Sequence, residues 1–112
     1  MGITIYHNPK CSKSRQTLQL LEDNGVAPEI VLYLDTPPTV DEMKALLRKL
    51  GLKPADILRA AEAKEAGLAK SMDEDALIKG MIANPRCIER PIVVKGEKAV
   101  LGRPPENVLA LI

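Results

Sequence analysis

Apolar and polar positions alternate in four distinct ways along the chain, and each pattern predicts a different element. Ile3-Thr4-Ile5-Tyr6 alternates β-branched and aromatic residues before His7-Asn8-Pro9, the signature of a first strand that ends in a turn. From Ser12 onward, Leu18, Leu20 and Leu21 fall at helical spacing, and Asn24-Gly25 supplies a helix stop. Ile30 to Leu34 is the longest unbroken apolar run, which predicts a strand buried on both faces and paired in parallel with the first. Thr39 and Glu42 form a capping box, and Met43, Leu46, Leu47 and Leu50 then follow the i, i+3, i+4, i+7 pattern up to Gly51.

Pro54 to Ala60 predicts a short helix with proline near its start, whereas Ala61 to Lys70 has no clear apolar face and its state stays open. Ser71 and Glu74 read as a second capping box ahead of Leu77, Ile78, Met81 and Ile82, with Asn84-Pro85 as the stop. Ile92–Lys95 and Lys98–Leu101, joined through Gly96-Glu97, predict a hairpin. Pro104-Pro105 opens a last helix whose Val108, Leu109 and Ile112 would close over the sheet. The order β-α-β, several helices, β-β, α packs most economically as a four-stranded mixed sheet flanked by helices, with a helical insertion between the second and third strands. That is an α/β, thioredoxin-like arrangement, and 112 residues are expected to form it as a single domain over 1–112.

Composition narrows the chemistry. Sixteen Lys and Arg against fifteen Asp and Glu leave a net charge of +1, and Tyr6 and Tyr33 are the only aromatic residues. Neither a basic field nor stacking platforms mark a nucleic-acid partner. No apolar run approaches the ~20 residues of a membrane helix, and no leader pattern opens the chain, so a cytoplasmic location and no membrane are expected. Two cysteines, Cys11 and Cys87, are too few and too far apart for a disulfide framework or a zinc site, and no metal is expected.

Function must then rest on local chemistry, and Cys11 is the strongest candidate. It follows a strand and opens a helix, where unpaired backbone N–H groups favour thiolate over thiol. In Cys11-Ser12-Lys13-Ser14 a serine stands where a dithiol motif would carry its second cysteine, so the site is monothiol and needs an outside thiol, or Cys87, to resolve any adduct. Arg15 follows Cys11 too closely for the phosphate cradle of cysteine phosphatases. Arg90 precedes Pro91 and Arg103 precedes Pro104, each beside a predicted hairpin strand. Their planar guanidinium groups suit a tetrahedral oxyanion. Cys87 reads as a structural buried thiol, and His7, the only histidine, as a strand-end residue able to polarise the loop.

The stretch His7-Asn8-Pro9-Lys10-Cys11-Ser12-Lys13-Ser14-Arg15 resembles the active-site segment of glutaredoxin-dependent arsenate reductases. Tyr33-Leu34-Asp35-Thr36-Pro37-Pro38, Arg90-Pro91-Ile92-Val93-Val94 and Gly102-Arg103-Pro104-Pro105 match in order and spacing, so the resemblance spans essentially the whole chain. It implies a nucleophilic Cys11, three oxyanion-binding arginines at Arg59, Arg90 and Arg103, and a cis-proline at Pro91. His7, Ser14 and Arg15 match residues that support the thiolate and the loop. Arg59 rests on this match alone. The implied reaction is reduction of arsenate to arsenite through a Cys11 adduct, with glutathione as co-substrate, glutaredoxin as protein partner and no bound cofactor. Two alternatives use the same superfamily fold. A general glutathione-dependent thiol oxidoreductase would need Cys11 but not three arginines. A redox-sensing transcription regulator that binds RNA polymerase would usually carry Cys-x-x-Cys and lack the arginine matched by Arg103.

Overall fold

The structure is a computed structural model that describes residues 2–112. The described residues form two compact units, 2–36 together with 90–112, and 37–89.

The first unit holds a four-stranded mixed sheet in the order β2-β1-β3-β4. Strand β1 (Ile3–Tyr6) lies parallel to β2 (Glu29–Val31) and antiparallel to β3 (Ile92–Lys95), which pairs in turn with β4 (Lys98–Leu101). Ile5 opposes Ile30 on one side and Val93 on the other, so the inward residues of β1 and β3 fall in register. Gly96 adopts φ 61° in the β3–β4 turn, a backbone state that glycine reaches without cost from a Cβ. Helix α1 (Ser12–Asp23) connects β1 to β2. Its Leu21 joins Ile3, Ile5, Val93, Val108 and Leu111 in one buried cluster, with Leu18, Leu20, Val26 and Val100 at its margin.

Two expectations for this unit need correction. The apolar run 30–34 is not a doubly buried strand: β2 ends at Val31, sits at the sheet edge, and leaves Ile30 47 %, Leu32 41 % and Leu34 38 % exposed. An edge strand has one paired flank, and a short apolar run does not encode which flank is covered. The last helix is a 3-10 helix, Pro105–Leu111, and not an α-helix. Three residues per turn stack positions 105, 108 and 111, which buries Pro105, Val108 and Leu111 and turns Leu109 and Ile112 outward.

The second unit is helical. Helix α2 (Val40–Leu50) starts at the reciprocal box predicted for Thr39 and Glu42 and ends at Gly51 in the left-handed region, with Met43, Leu46 and Leu47 buried. A 3-10 turn (Pro54–Ile57) stands where the short helix was expected, and α3 (Ala60–Ala66) fills part of the stretch left open. Helix α4 (Glu74–Ala83) begins one residue after Asp73, whose carboxylate accepts from Ala76 N–H at 3.4 Å, so the predicted Ser71–Glu74 box does not form. Asp73 is itself a capping residue type, three positions before that donor, and it displaces the serine. A second 3-10 turn (Pro85–Cys87) follows, and Leu58 bridges Ile88. Helix α4 packs on α2 and on both 3-10 turns, and α3 packs on the later one.

Candidate active site

The β1–α1 connection builds the site around Cys11 from local hydrogen bonds. Asn8 closes the turn: its Oδ1 accepts from Lys10 N–H at 3.0 Å, and its carbonyl accepts from Cys11 N–H at 3.0 Å. Cys11 is the N-cap of α1 with extended backbone, and no side chain caps the helix in its place. The first turn carries no acidic residue, so the positive end of the helix dipole is left to the sulfur. Arg15 Nη1 donates to Pro9 carbonyl at 2.9 Å and ties the loop to the helix from the solvent side.

A buried polar lock lies beneath the loop. Ser14 Oγ is 2.6 Å from His7 Nδ1 and accepts from Asn8 N–H at 3.0 Å, and all three residues are buried. Burial, with help from the Arg15 charge, holds His7 below the usual histidine range, so the ring is neutral at pH 7. Thr17, fully buried one turn later, places its hydroxyl 2.8 Å from Lys13 carbonyl and 3.2 Å from Gly102 carbonyl. Gly102 N–H donates to Pro91 carbonyl at 3.0 Å, and a Cβ on Gly102 would lie 2.5 Å from Thr17 Oγ1. The helix bearing Cys11 is thus fastened to the segment bearing Arg103.

The two hairpin arginines converge on the sulfur. Arg103 Nη1 lies 3.8 Å from Cys11 Sγ and donates to Arg90 carbonyl at 3.2 Å, while the Arg90 guanidinium acts on the same sulfur and favours its thiolate. Pro91 is fully buried, and the Arg90-Pro91 bond is cis, as the resemblance implies. The Arg103-Pro104 bond is cis as well. Burial pushes the Cys11 thiol up, but Ser14 N–H, the Arg90 side chain and Lys13 N–H more than offset it, and the net direction is down. Cys87 behaves in the opposite way: it is buried in the second unit and raised chiefly by that burial.

Of the residues singled out in the sequence, Cys11, His7, Ser14, Arg15, Arg90, Pro91 and Arg103 all belong to this one cluster in the first unit. Arg59 belongs to the second unit, where it is partly buried and clasped by two carboxylates. Its Nε donates to Glu62 at 2.5 Å and its Nη1 to Glu89 at 2.6 Å. Asn8 and Thr17 were missed as site residues. The Asn8-Pro9 pair carried a readable turn signal, whereas the Thr17 contact with Gly102 spans 85 positions and has no local signature. No group of His, Cys, Asp and Glu among the described residues is arranged to hold a metal, and no helix among them is long and apolar enough to cross a membrane.

Comparison with known proteins places this arrangement among relatives. The model of the ArsC family matches residues 6–111. An uncharacterised protein of Escherichia coli K12, YfgD, is 52 % identical over 114 aligned positions that cover 98 % of this chain and 96 % of that one. An arsenate reductase of Neisseria meningitidis serogroup A is 47 % identical, covering 98 % and 97 %. The solved structure of an arsenate reductase from Vibrio cholerae superposes with a TM-score of 0.94 at 48 % identity, covering 100 % of this chain and 98 % of that one.

Proposed function

The chain belongs to the ArsC family, and from that premise we propose that it reduces arsenate to arsenite with Cys11 as the nucleophile. The observation that carries the reading is the convergence of two guanidinium groups on one acidified, monothiol cysteine. Relatives named arsenate reductase at 47 % and 43 % identity support the choice of oxyanion.

The chemistry follows from the parts. Arg90 and Arg103 bind the arsenate oxygens, each charge-assisted contact contributing about 1.5–3 kcal/mol. Arg59 is the third arginine of the proposed set by correspondence with the family. The Cys11 thiolate attacks arsenic(V), a thiol-arsenate bond forms, and one arsenate oxygen leaves as water after taking up protons. Glutathione thiolate then attacks Cys11 sulfur, the sulfur-arsenic bond breaks, and its electron pair stays on arsenic, which leaves as arsenite. The two electrons come from the two sulfurs, now joined as a mixed disulfide. Glutaredoxin takes the glutathionyl group by thiol-disulfide exchange and returns Cys11 to the thiolate. Ser14 suits this route, because no second thiol in the loop competes for the adduct. His7, Ser14, Arg15 and Pro91 support the loop that holds the sulfur. A cytoplasmic setting, where glutathione is abundant, belongs to the same proposal.

The test is glutathione- and glutaredoxin-coupled arsenate reduction by the wild type, Cys11→Ser and Arg90→Ala/Arg103→Ala proteins, with folding checked for each. Turnover should vanish with Cys11 and fall by at least a hundredfold without the arginine pair. A folded wild type that leaves arsenate untouched, yet reduces a glutathionylated peptide with or without Arg90 and Arg103, would move the protein to general thiol transfer.

A further inference from the structure

Thr17 is fully buried on α1, and its hydroxyl has one proton to offer two carbonyls. It donates to Lys13 carbonyl at 2.8 Å, one turn earlier in the same helix, and to Gly102 carbonyl at 3.2 Å, in the segment that follows β4. A donor shared in this way ties its two acceptors to each other. The bond back to the i−4 carbonyl is common for threonine in helices and by itself calls for no functional reading. The second acceptor, 85 positions away, does.

Each acceptor belongs to a peptide unit whose other end serves the site. Lys13 carbonyl shares a plane with Ser14 N–H, which acts on the Cys11 sulfur and favours its thiolate. Gly102 carbonyl shares a plane with the backbone N–H of Arg103, whose Nη1 lies 3.8 Å from the same sulfur. Because a peptide is planar and stiff, a donor that fixes its carbonyl end fixes its amide end too. Donation to Lys13 carbonyl also polarises that peptide and strengthens the N–H it presents.

The two segments approach as closely as their atoms allow. A Cβ on Gly102 would lie 2.5 Å from Thr17 Oγ1, 2.9 Å from Thr17 Cγ2 and 2.7 Å from Pro91 Cγ, so only the bare glycine backbone fits against the hydroxyl. Gly102 N–H donates to Pro91 carbonyl at 3.0 Å, which extends the same constraint to the residue after Arg90.

We infer that Thr17 is a positioning residue for Cys11: its hydroxyl clamps the peptide that presents Ser14 N–H against the peptide that carries Arg103, and so holds two of the sulfur's partners in place at once. The inference deepens the reading of Cys11 as the nucleophile. It makes the readiness of the sulfur depend on a side chain that acts only through other groups.

The experiment is the pH profile of iodoacetamide alkylation at Cys11, read on its peptide by mass spectrometry, for the wild type, Thr17→Val, Thr17→Ser, Arg103→Ala and Thr17→Val/Arg103→Ala. Circular dichroism checks the fold of each. Lys10, Lys13 and Arg15 along the loop, Arg90 beside the sulfur and His7 beneath the loop are common to all five proteins, so the midpoint reports the placement of the sulfur's partners. Thr17→Val matches threonine in shape but has no hydroxyl, and it should raise the midpoint by about half a pH unit, a roughly threefold smaller thiolate fraction below that midpoint. Thr17→Ser keeps the hydroxyl and should keep the wild-type midpoint. In the Arg103→Ala background the shift from Thr17→Val should shrink, because the part carried by Arg103 is already gone. A folded Thr17→Val with the wild-type midpoint would overturn the inference, as would a Thr17→Ser that shifts as far as valine or a full-sized shift without Arg103. Should valine not fold, Thr17→Ala, which presses no methyl group on the two carbonyls, decides in its place. Alkylation needs no arsenate, so a wild type that fails to reduce arsenate would sink the proposed reaction and leave this comparison fully interpretable.

Discussion

Replacing Ser14 with alanine removes a single oxygen, yet that oxygen serves two buried neighbours. Asn8 N–H loses its acceptor at 3.0 Å and His7 Nδ1 loses its partner at 2.6 Å, with no exposed side chain among the three residues to admit water. A buried group deprived of its partner costs about 1–3 kcal/mol. Two such groups put the loss for Ser14→Ala near 3 kcal/mol, a large share of the stability of a small domain. With an unfolding entropy of about 2.1 cal/mol/K per residue, that loss lowers Tm by roughly 12 °C. Urea unfolding followed by circular dichroism measures it directly, and an unchanged m-value shows that the native state is still compact. The substitution leaves the backbone N–H of Ser14 in place, and it is this N–H that favours the Cys11 thiolate. The pH midpoint of Cys11 alkylation should therefore shift less in Ser14→Ala than in Arg90→Ala. A stability loss below about 0.5 kcal/mol, or an alkylation midpoint that moves further than in Arg90→Ala, would refute the assignment of the serine side chain as a structural lock.

Two other outcomes follow from the geometry. Iodoacetamide should modify Cys11 at pH values below the ordinary thiol range and spare Cys87 in the folded protein; because the folded pKa of Cys11 is lowered, its reactivity persists as pH falls and is lost only below that depressed value, and Arg90→Ala or Arg103→Ala should move the loss to higher pH, as mass spectrometry of each peptide would show. In the 3-10 segment, Leu111→Ala should cost about 2–3 kcal/mol and Leu109→Ala under about 0.5 kcal/mol by urea unfolding, an order that an α-helical register would not give.

What the sequence made legible was local. Strand β1, the hairpin, the Thr39–Glu42 box and the place of Cys11 at a helix start depend on neighbours within a few positions, where propensity and capping chemistry act directly. Burial was less legible. Ile30, Leu32 and Leu34 are as apolar as a core strand, but their exposure is decided by the position of β2 at the sheet edge, which sequence order alone does not fix. Helix type at the C-terminal segment was misread because Val108, Leu109 and Ile112 fit an α-helical face, whereas Pro105, Val108 and Leu111 fit the period of three that forms. The site divides in the same way. Cys11 could be found from its place in the chain, and Arg90 and Arg103 from the prolines that follow them. The carboxylates around Arg59 could not be found, since one of them comes from thirty residues away.

The pairing of Ile3 with Lys95 and of Tyr6 with Ile92 gives the sheet a history during synthesis. Cys11 leaves the ribosome early, but β3, Arg90 and Arg103 are made about eighty residues later, and closing so long a loop must precede their contact with the sulfur. Until then the nascent chain has neither guanidinium beside its cysteine and no paired β3 to hold the loop. Its thiol then lacks the share of acidification that the Arg90 side chain supplies. The full acidity of Cys11 is thus reached only in the finished fold, when the segments bearing Arg90 and Arg103 dock beside the local N–H groups of Lys13 and Ser14. A chain whose last strands have not docked carries a cysteine without its guanidinium neighbours.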